Sequence, residues 1–598
     1  MGVYPRGIER RPLVLKIMSE PSNNEIMPTP TDAAVSHHRP ALQRLAGWLG
    51  AHSLAVELLL LALIVLLAGA LRAFHLGYKS FWLDEVTYVR SAQLGPLFGP
   101  YGYASISHPP GYLLLLRLMG AANPAEWFLR LPAMVSGVAA VVALWALGRK
   151  LLGRAEGLLA AFLLALSSLH LEYSQEAHSY ALFALLSTLL LLTLVIAAGR
   201  EMAATGSSDR RLGRWLATWL GFIVVSTLAL YIHYYAIAPV GLSLLVFPCF
   251  LLAASPGPVS SLWRDPARRR ALINLIIALA IIALLFLPQV VSQLTGSAAT
   301  AAARAGAIET GSLERGFTFS LGTFGDTVLA FITNRTPWTA DPLFVPAVAG
   351  LWLAGLVWLL LRRRAVGAAF LLWMLLPLPL LAWFAFQTGF SFAPRRLIFI
   401  LPVFLLTVAV GMTAVARLVG NLVLRFIPDR RALGRAATAV TLTVLVLAFV
   451  KGSLDPLSSY YRKPKQDWRT LATILQTAAR PGDAVVILPN AVAPLDWYYK
   501  NPAARFISDG LTGKLDELCA SSRDVYVASA TTGKQPSADE EAYLAANYIR
   551  VPLKELTLYY RNCQPGVWYG AGAEQLYRLA TDPFLSFNPV RTSIKLFK

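Results

Sequence analysis

Charge is scarce in this chain. Asp and Glu supply 33 residues and Lys and Arg 53 of 598, together 14%, against roughly 25% in ordinary soluble domains. With 56% of its residues hydrophobic, the chain carries more apolar surface than folding on itself can hide, which excludes a water-soluble globular protein and makes the bilayer its solvent. The first fifty residues lack the apolar segment and small-residue cleavage site of a secretory signal. Residues 1–53 therefore read as a disordered cytoplasmic tail ahead of an uncleaved first anchor. No repeat relates the two halves, which argues against a transporter built from repeats. No spacing approaches a metal motif such as His-Glu-x-x-His, so no metal site and no certain cofactor is expected, a loosely bound divalent cation at an acidic pair being left open.

What is present is a series of apolar stretches of roughly 20 residues, enough for a helix to span about 30 Å of hydrocarbon. They run Leu54–Phe74, Phe128–Leu147, Gly157–Leu171, Tyr180–Ala198, Trp215–Ile232, Ile237–Ala254, Leu272–Val290, Leu343–Leu361, Val366–Phe386, Leu397–Ala416 and Ala436–Val450. The expected fold is an α-helical polytopic membrane module of about eleven helices over 54–452. Its first outer loop covers 75–127, and a small C-terminal α/β domain covers 453–598. Within that last region Ala484–Leu488 and Val525–Ala528 read as strands beside helical patterns such as Trp468–Ala479. Cys519 and Cys563 both lie there and are candidates for a disulfide in an oxidising compartment. Cys249 falls in a span and reads as a small apolar residue.

Clusters of basic residues fall in every second loop, and the alternate set is nearly bare of them. Arg149, Lys150 and Arg154, then Arg210, Arg211 and Arg214, Arg268–Arg270, Arg362–Arg364 and Arg430, Arg431 and Arg435 fall in one alternate set, which the positive-inside rule places in the cytoplasm. The bare set, and with it the C-terminal region, is then extracytoplasmic. The net charge of +20 is mostly this topology signal and gives no reason to expect nucleic acid as a partner.

Each unusual polar cluster falls on the outward face. Asp84-Glu85 follows Phe81-Trp82-Leu83, and His108-Pro109-Pro110-Gly111-Tyr112 lies in the same loop. Glu172 and the run Ser174-Gln175-Glu176-Ala177-His178-Ser179-Tyr180 follow the third span, His233-Tyr234-Tyr235 ends the fifth, and Pro394-Arg395-Arg396 precedes the tenth. Each has a plain reading as well: an N-cap for a helix from about Val86, a proline-opened amphipathic helix after His108, satisfied interface histidines, a solvated Glu172/Glu176 face, and Arg395 and Arg396 as anchors. Together they make chemical sense. A carboxylate can act as general base toward a hydroxyl while cations at headgroup depth neutralise a lipid-borne phosphate.

These motifs resemble, in order, those of the GT-C superfamily of membrane glycosyltransferases. The similar branch is that of the bacterial protein O-mannosyltransferase relatives, with the aminoarabinose transferases and the rhizobial lipopolysaccharide galacturonosyltransferases. The resemblance covers about Leu54 to Leu418. It implies inverting transfer of a sugar from a polyprenyl-phosphate donor to a lipid, glycan or protein acceptor of the envelope, by an enzyme of the bacterial inner membrane. By it Asp84 and Glu85 are the catalytic acids, and His108, Arg395 and Arg396 bind the donor phosphate. Gln175, Glu176, His178, Tyr180, His233 and Tyr234 complete the site. The chain departs from the pattern at His178, where relatives often carry Arg, and at Arg396, where they carry Tyr. A polytopic transporter, an O-antigen ligase or polymerase and a non-catalytic scaffold are the competing classes. The Ala-, Gly- and Thr-rich loop Ser292–Asp341 offers a ligase little chemistry and reads as a lid.

Overall fold

The structure, a computed structural model, describes residues 53–93, 108–120, 125–203, 211–295, 321–334, 341–380, 383, 394–462, 465–488, 492–500, 505–507, 510–530, 536–553, 555–564 and 570–581. All but the last residue of the expected tail 1–53, and most of the expected lid, lie outside these residues. Compact units divide after Leu58. Of Met1–Leu58 only the opening turns of the helix Ser53–Ala73 are described; the account below concerns Leu59–Lys598.

Among the described residues nine helices are long and apolar enough to cross a membrane, or ten if one bent pair is counted as a span. All eleven expected spans fall on helices, with two differences. Gly157–Leu171 is not one rod: Arg154–Leu166 and Ser168–Ser174 meet at 64°, and Ser167 caps the second piece by accepting from the His170 amide. The apolar pattern runs through the break because Ser167 and Ser168 are small enough to be buried there. Of Val366–Phe386 the described residues show the apolar helix Arg364–Leu380, and most of 381–386 lies outside them.

Layering follows from which faces carry small residues. Leu401–Phe426 is an inner helix, with 72% of its most apolar window buried, while the long helix Arg431–Arg462 is peripheral at 11%. A side chain at Gly355 would strike the Thr407 carbonyl, and one at Gly411 the Leu351 carbonyl. The helices Phe344–Arg362 and Leu401–Phe426 therefore pack backbone against backbone, as small residues permit in lipid. In the first outer loop, Pro110 opens the helix Pro110–Leu118 as N-terminal geometry prefers. A Cβ on Gly111 would come within 2.6 Å of the Tyr231 carbonyl, so only glycine lets this helix sit so close to Arg211–Ile232.

After Arg462 the chain builds a five-stranded sheet in the order β2-β1-β3-β5-β4. The strands are β1 Ala484–Ile487, β2 Arg505–Phe506, β3 Asp524–Ala530, β4 Ile549–Leu553 and β5 Leu556–Asn562. β1 pairs parallel with β2 and β3, while β5 pairs antiparallel with β3 and β4. Separate apolar clusters line its faces, one around Trp468 and Leu475 and one around Val486 and Leu515. Cys519 and Cys563 form a disulfide with Cα atoms 5.2 Å apart, closing a loop of 44 residues. Replacing both by Ser is expected to lower the unfolding free energy of this region by about 2–4 kcal/mol, measurable by chemical denaturation with and without reductant. This region packs on the first outer loop. Phe81 N donates to Tyr498 Oη at 2.7 Å, Ser80 Oγ to the Gln466 carbonyl at 2.7 Å, and Arg469 pairs with Glu126 at 2.5 Å.

Candidate active site

Asp84 lies in the first turn of the helix Leu83–Gln93. The helix begins before Asp84, so Asp84 is not the cap of a helix starting at Val86. Its Oδ2 is 3.5 Å from Arg395 Nη1, with 30% of the aspartate side chain exposed against 17% of the arginine. Arg395 comes from a short 3-10 turn, Pro394–Leu397, just ahead of the inner helix Leu401–Phe426. Arg395 also lies over the Trp82 ring, its Cζ 5.6 Å from the centroid, and Arg396 lies over Tyr235 at the same distance. A carboxylate with solvent access thus stands beside one of two successive guanidinium groups that are held over aromatic rings.

Glu85 does something else. It is fully buried and binds Arg130 through both oxygens, Oε1 to Nε at 2.7 Å and Oε2 to Nη2 at 2.8 Å. Oε1 also accepts from the Ala177 amide at 2.8 Å. Burial alone would raise its pKa, but the charge and hydrogen bonds of Arg130 outweigh burial and hold the carboxyl below 4.5. Of the expected catalytic pair, Asp84 is partly exposed, whereas Glu85 is buried with both oxygens bound by Arg130. Among the described residues no three His, Cys, Asp or Glu side chains group as metal ligands.

The segment after the bent span is held at Gln175, Glu176 and the Ala177 amide. Gln175 Nε2 donates to the carbonyls of Arg72 at 2.8 Å and Phe74 at 2.7 Å, closing the end of the first helix. Its Oε1 accepts from Tyr460 Oη at 2.9 Å. Glu176 is 1% exposed and ion-paired with Lys465; its Oε2 is buried with no hydrogen-bond partner among the described residues. Burial raises the Glu176 carboxyl to about 7, against the pull of Lys465 and with a push from Glu172 and Glu85. Gln175 is thus a structural clamp.

His178 and Tyr180 face the cluster. Their rings stack at 4.3 Å and 7°, Tyr88 lies 4.3 Å from His178 and 4.4 Å from His108, and Tyr88 Oη bonds Ser179 Oγ at 3.3 Å. His233 stacks on Phe183 and lies 5.2 Å from Tyr180, its Nδ1 accepting from the Tyr235 amide. Burial, then the nearby Arg396 and Arg395, lowers His108 to about 4. Burial, then His108 and the same arginines, lowers His233 to about 3, and burial with His108 and Arg395 takes His178 well below its ordinary value. Burial and the neighbouring cations thus favour the neutral form of all three imidazoles at pH 7. Nδ1 of His108, Nδ1 of His178, Nε of Arg395 and Nε1 of Trp82 are buried without hydrogen-bond partners among the described residues. Such groups cost free energy unless a ligand or solvent satisfies them.

Tyr234 turns away. Its hydroxyl accepts from Gln289 at 2.9 Å and Gln293 at 2.5 Å on the helix Pro266–Thr295, which makes it a tie between helices. Three contributors escaped the sequence reading. Tyr88 had a signal, lying one helical turn after Asp84 on the same face. Lys465 did not stand out, since Arg462, Lys463 and Arg469 surround it in the sequence. Arg130 had none, because a basic residue just inside a span reads as a boundary marker.

Comparison with known proteins bears on the fold. The sequence profile of the dolichyl-phosphate-mannose-protein mannosyltransferase family matches residues 107–291, which include His108, the segment 175–180 and His233. No curated protein matches the sequence. The fold is similar to that of AglB, the archaeal oligosaccharyltransferase of Archaeoglobus fulgidus, solved with an inhibitory peptide and a dolichol-phosphate. That match has 14% identity and a TM-score of 0.51 over 89% of this chain and 78% of that one. It is also similar to ArnT of Cupriavidus metallidurans bound to undecaprenyl phosphate, at 13% identity and a TM-score of 0.51 over 84% of this chain and 98% of that one. The architecture is of GT-C type, a polytopic helical membrane protein carrying a small mixed sheet, as the motifs implied.

Proposed function

We propose that the chain is an inverting glycosyltransferase that moves a sugar from a polyprenyl-phosphate donor to an envelope acceptor, on the outer face of the bacterial inner membrane. The observation that carries this reading is the partly exposed Asp84 carboxylate 3.5 Å from Arg395, at the end of an apolar helix bundle. The family profile over 107–291 and the lipid phosphates held by AglB and ArnT support it. The N-terminal region is taken as cytoplasmic, and the sheet-bearing C-terminal region and the site as extracytoplasmic.

In the proposed reaction Asp84 takes the proton of an acceptor hydroxyl as its oxygen attacks the anomeric carbon. The bond from that carbon to the phosphate oxygen breaks on the opposite face, its electron pair leaving with the polyprenyl phosphate and the configuration inverting. Arg395 and Arg396 neutralise the charge that grows on the phosphate, and neutral His108 donates or accepts a hydrogen bond beside them. Transfer of labelled sugar from a panel of polyprenyl-phosphate sugars to extracted envelope acceptors, by protein reconstituted in lipid, tests this. Absence of transfer from every donor by folded protein would sink it.

Arg395→Ala is expected to weaken donor binding by about 1.5–3 kcal/mol, the worth of charge-assisted hydrogen bonds. Equilibrium binding of a polyprenyl phosphate reads it out, and unchanged affinity would reduce Arg395 to an anchor.

A further inference from the structure

The cation nearest to Glu176 does not come from the membrane bundle's own loops. Lys465 follows the last long helix, Arg431–Arg462, and precedes the helix Trp468–Ala478. It reaches back across 289 residues to pair with Glu176. Its ammonium also lies over the Trp82 ring, 5.1 Å from the centroid, so the indole that receives Arg395 at 5.6 Å receives Lys465 as well. Its neighbours at the same junction are equally committed. Tyr460 Oη holds Gln175, and the Lys79 ammonium lies 3.9 Å over the Tyr460 ring.

We propose that Lys465 is a positioning residue of the active site, its Glu176 ion pair and its seat on Trp82 fixing the segment 175–180 against Asp84 and Arg395. The segment is short of other restraints at this point. Gln175 is held on one side and the Ala177 amide by Glu85, but the Glu176 side chain that lies between them has Lys465 as its salt-bridge partner and, among the described residues, one carboxylate oxygen without a hydrogen bond. His178 and Tyr180 follow directly, and their stacked rings stand where the segment's placement puts them. Burial disfavours charge on Lys465, but the carboxylates of Glu176, Glu172 and Glu85 outweigh it and hold the ammonium above 10.5, so Lys465 is charged at neutral pH. The C-terminal region thereby enters the site through one side chain, and its docking is coupled to the geometry around Asp84. The inference rests on the glycosyltransferase reading only for its rate readout.

The test uses the full chain in lipid nanodiscs with Lys465→Met, Lys465→Arg, Glu176→Gln and the Lys465→Met/Glu176→Gln pair. Two readouts are taken: hydrogen exchange of the amides in 175–180, and sugar transfer from the polyprenyl-phosphate sugar that the wild type uses. Each single loss is expected to speed exchange in the segment and slow transfer by about 10²-fold, the size that a displacement of about 1 Å can produce. Lys465→Arg is expected to restore both, since a guanidinium keeps the charge and stacks well on indole. The double variant is expected to be no slower than either single one, because partners acting as a unit are not additive. Wild-type exchange and rate in Lys465→Met would overturn the proposal, and so would slow transfer with unchanged exchange, which would make Lys465 a direct contact. Faster exchange in a protein whose wild type transfers no sugar would uphold the positioning role of Lys465 and sink the glycosyltransferase reading instead.

Discussion

Asp84→Asn is expected to leave a folded protein that binds donor normally and transfers sugar ~10²–10⁴-fold more slowly, the usual cost of losing a general base. Two magnitudes separate this from a stability effect. The Asp84–Arg395 contact is 3.5 Å long and the aspartate side chain is 30% exposed, and partly exposed pairs of this kind are worth about 0–1 kcal/mol. Removing its charge therefore barely changes folding. The amide keeps the shape of the side chain, so helix Leu83–Gln93 has no reason to move. Single-turnover transfer at saturating donor is the measurement. A wild-type rate in the variant would remove Asp84 from the chemistry, and a rate loss that disappears at high donor concentration would make it a binding residue.

The elements that could be read from the sequence are those whose signals are local. Apolar length located every expected span on a helix, because a helix in lipid must satisfy its own backbone and needs about 20 apolar residues to do so. Asp84 and Arg395 were legible because each stands in the wrong solvent for its neighbours, an acid after Phe81-Trp82-Leu83 and a cation in a cation-poor loop. That they meet, 311 positions apart in the chain but 3.5 Å apart in space, was legible only through topology, which puts alternate loops at one end.

What could not be read depends on pairing between distant segments. Asp84 and Glu85 are neighbours with the same chemistry in one helical turn, yet successive helical residues point about 100° apart. One is partly exposed and the other meets Arg130 across 45 residues. The break at Ser167 was invisible because hydropathy continues through it; its stability comes from tertiary acceptors and donors such as Arg72. The Arg72 guanidinium holds the carbonyls of Leu164 and Ala165 at the break. Tyr234 belongs to a motif shared with His233 and still points to Gln289 and Gln293, since a motif gives the order of residues and not the direction of each side chain.

Arg130→Met is expected to be the most destabilising single change near the site, by about 3–5 kcal/mol, because it leaves the Glu85 charge buried without its partner. The arginine also donates to the carbonyls of Leu76 and Lys79 at 2.8 Å and of Ser80 at 3.3 Å, so the turn that delivers Trp82 and Asp84 loses its tie at the same time. The sign of the pH dependence follows from Glu85. In the wild type its folded pKa is depressed below 4.5, so the pair's contribution is fully present at neutral pH and is lost only as pH falls through that depressed value. Without Arg130, burial alone governs the carboxyl and lifts its pKa, so the variant sheds its unpaired charge on mild acidification. The stability gap between the two proteins should therefore narrow as pH falls from 7 toward 4.5. Denaturant unfolding of the purified protein in detergent at both ends of that range measures it. A Glu85→Gln/Arg130→Met protein should recover much of the loss, since replacing both partners removes the uncompensated charge, yet remain slow in transfer because the 76–80 carbonyls are still untied. A gap that stays constant with pH would mean that Arg130 acts only through those carbonyls, and full activity in the double variant would mean that the turn needs neither partner to hold Asp84 in place.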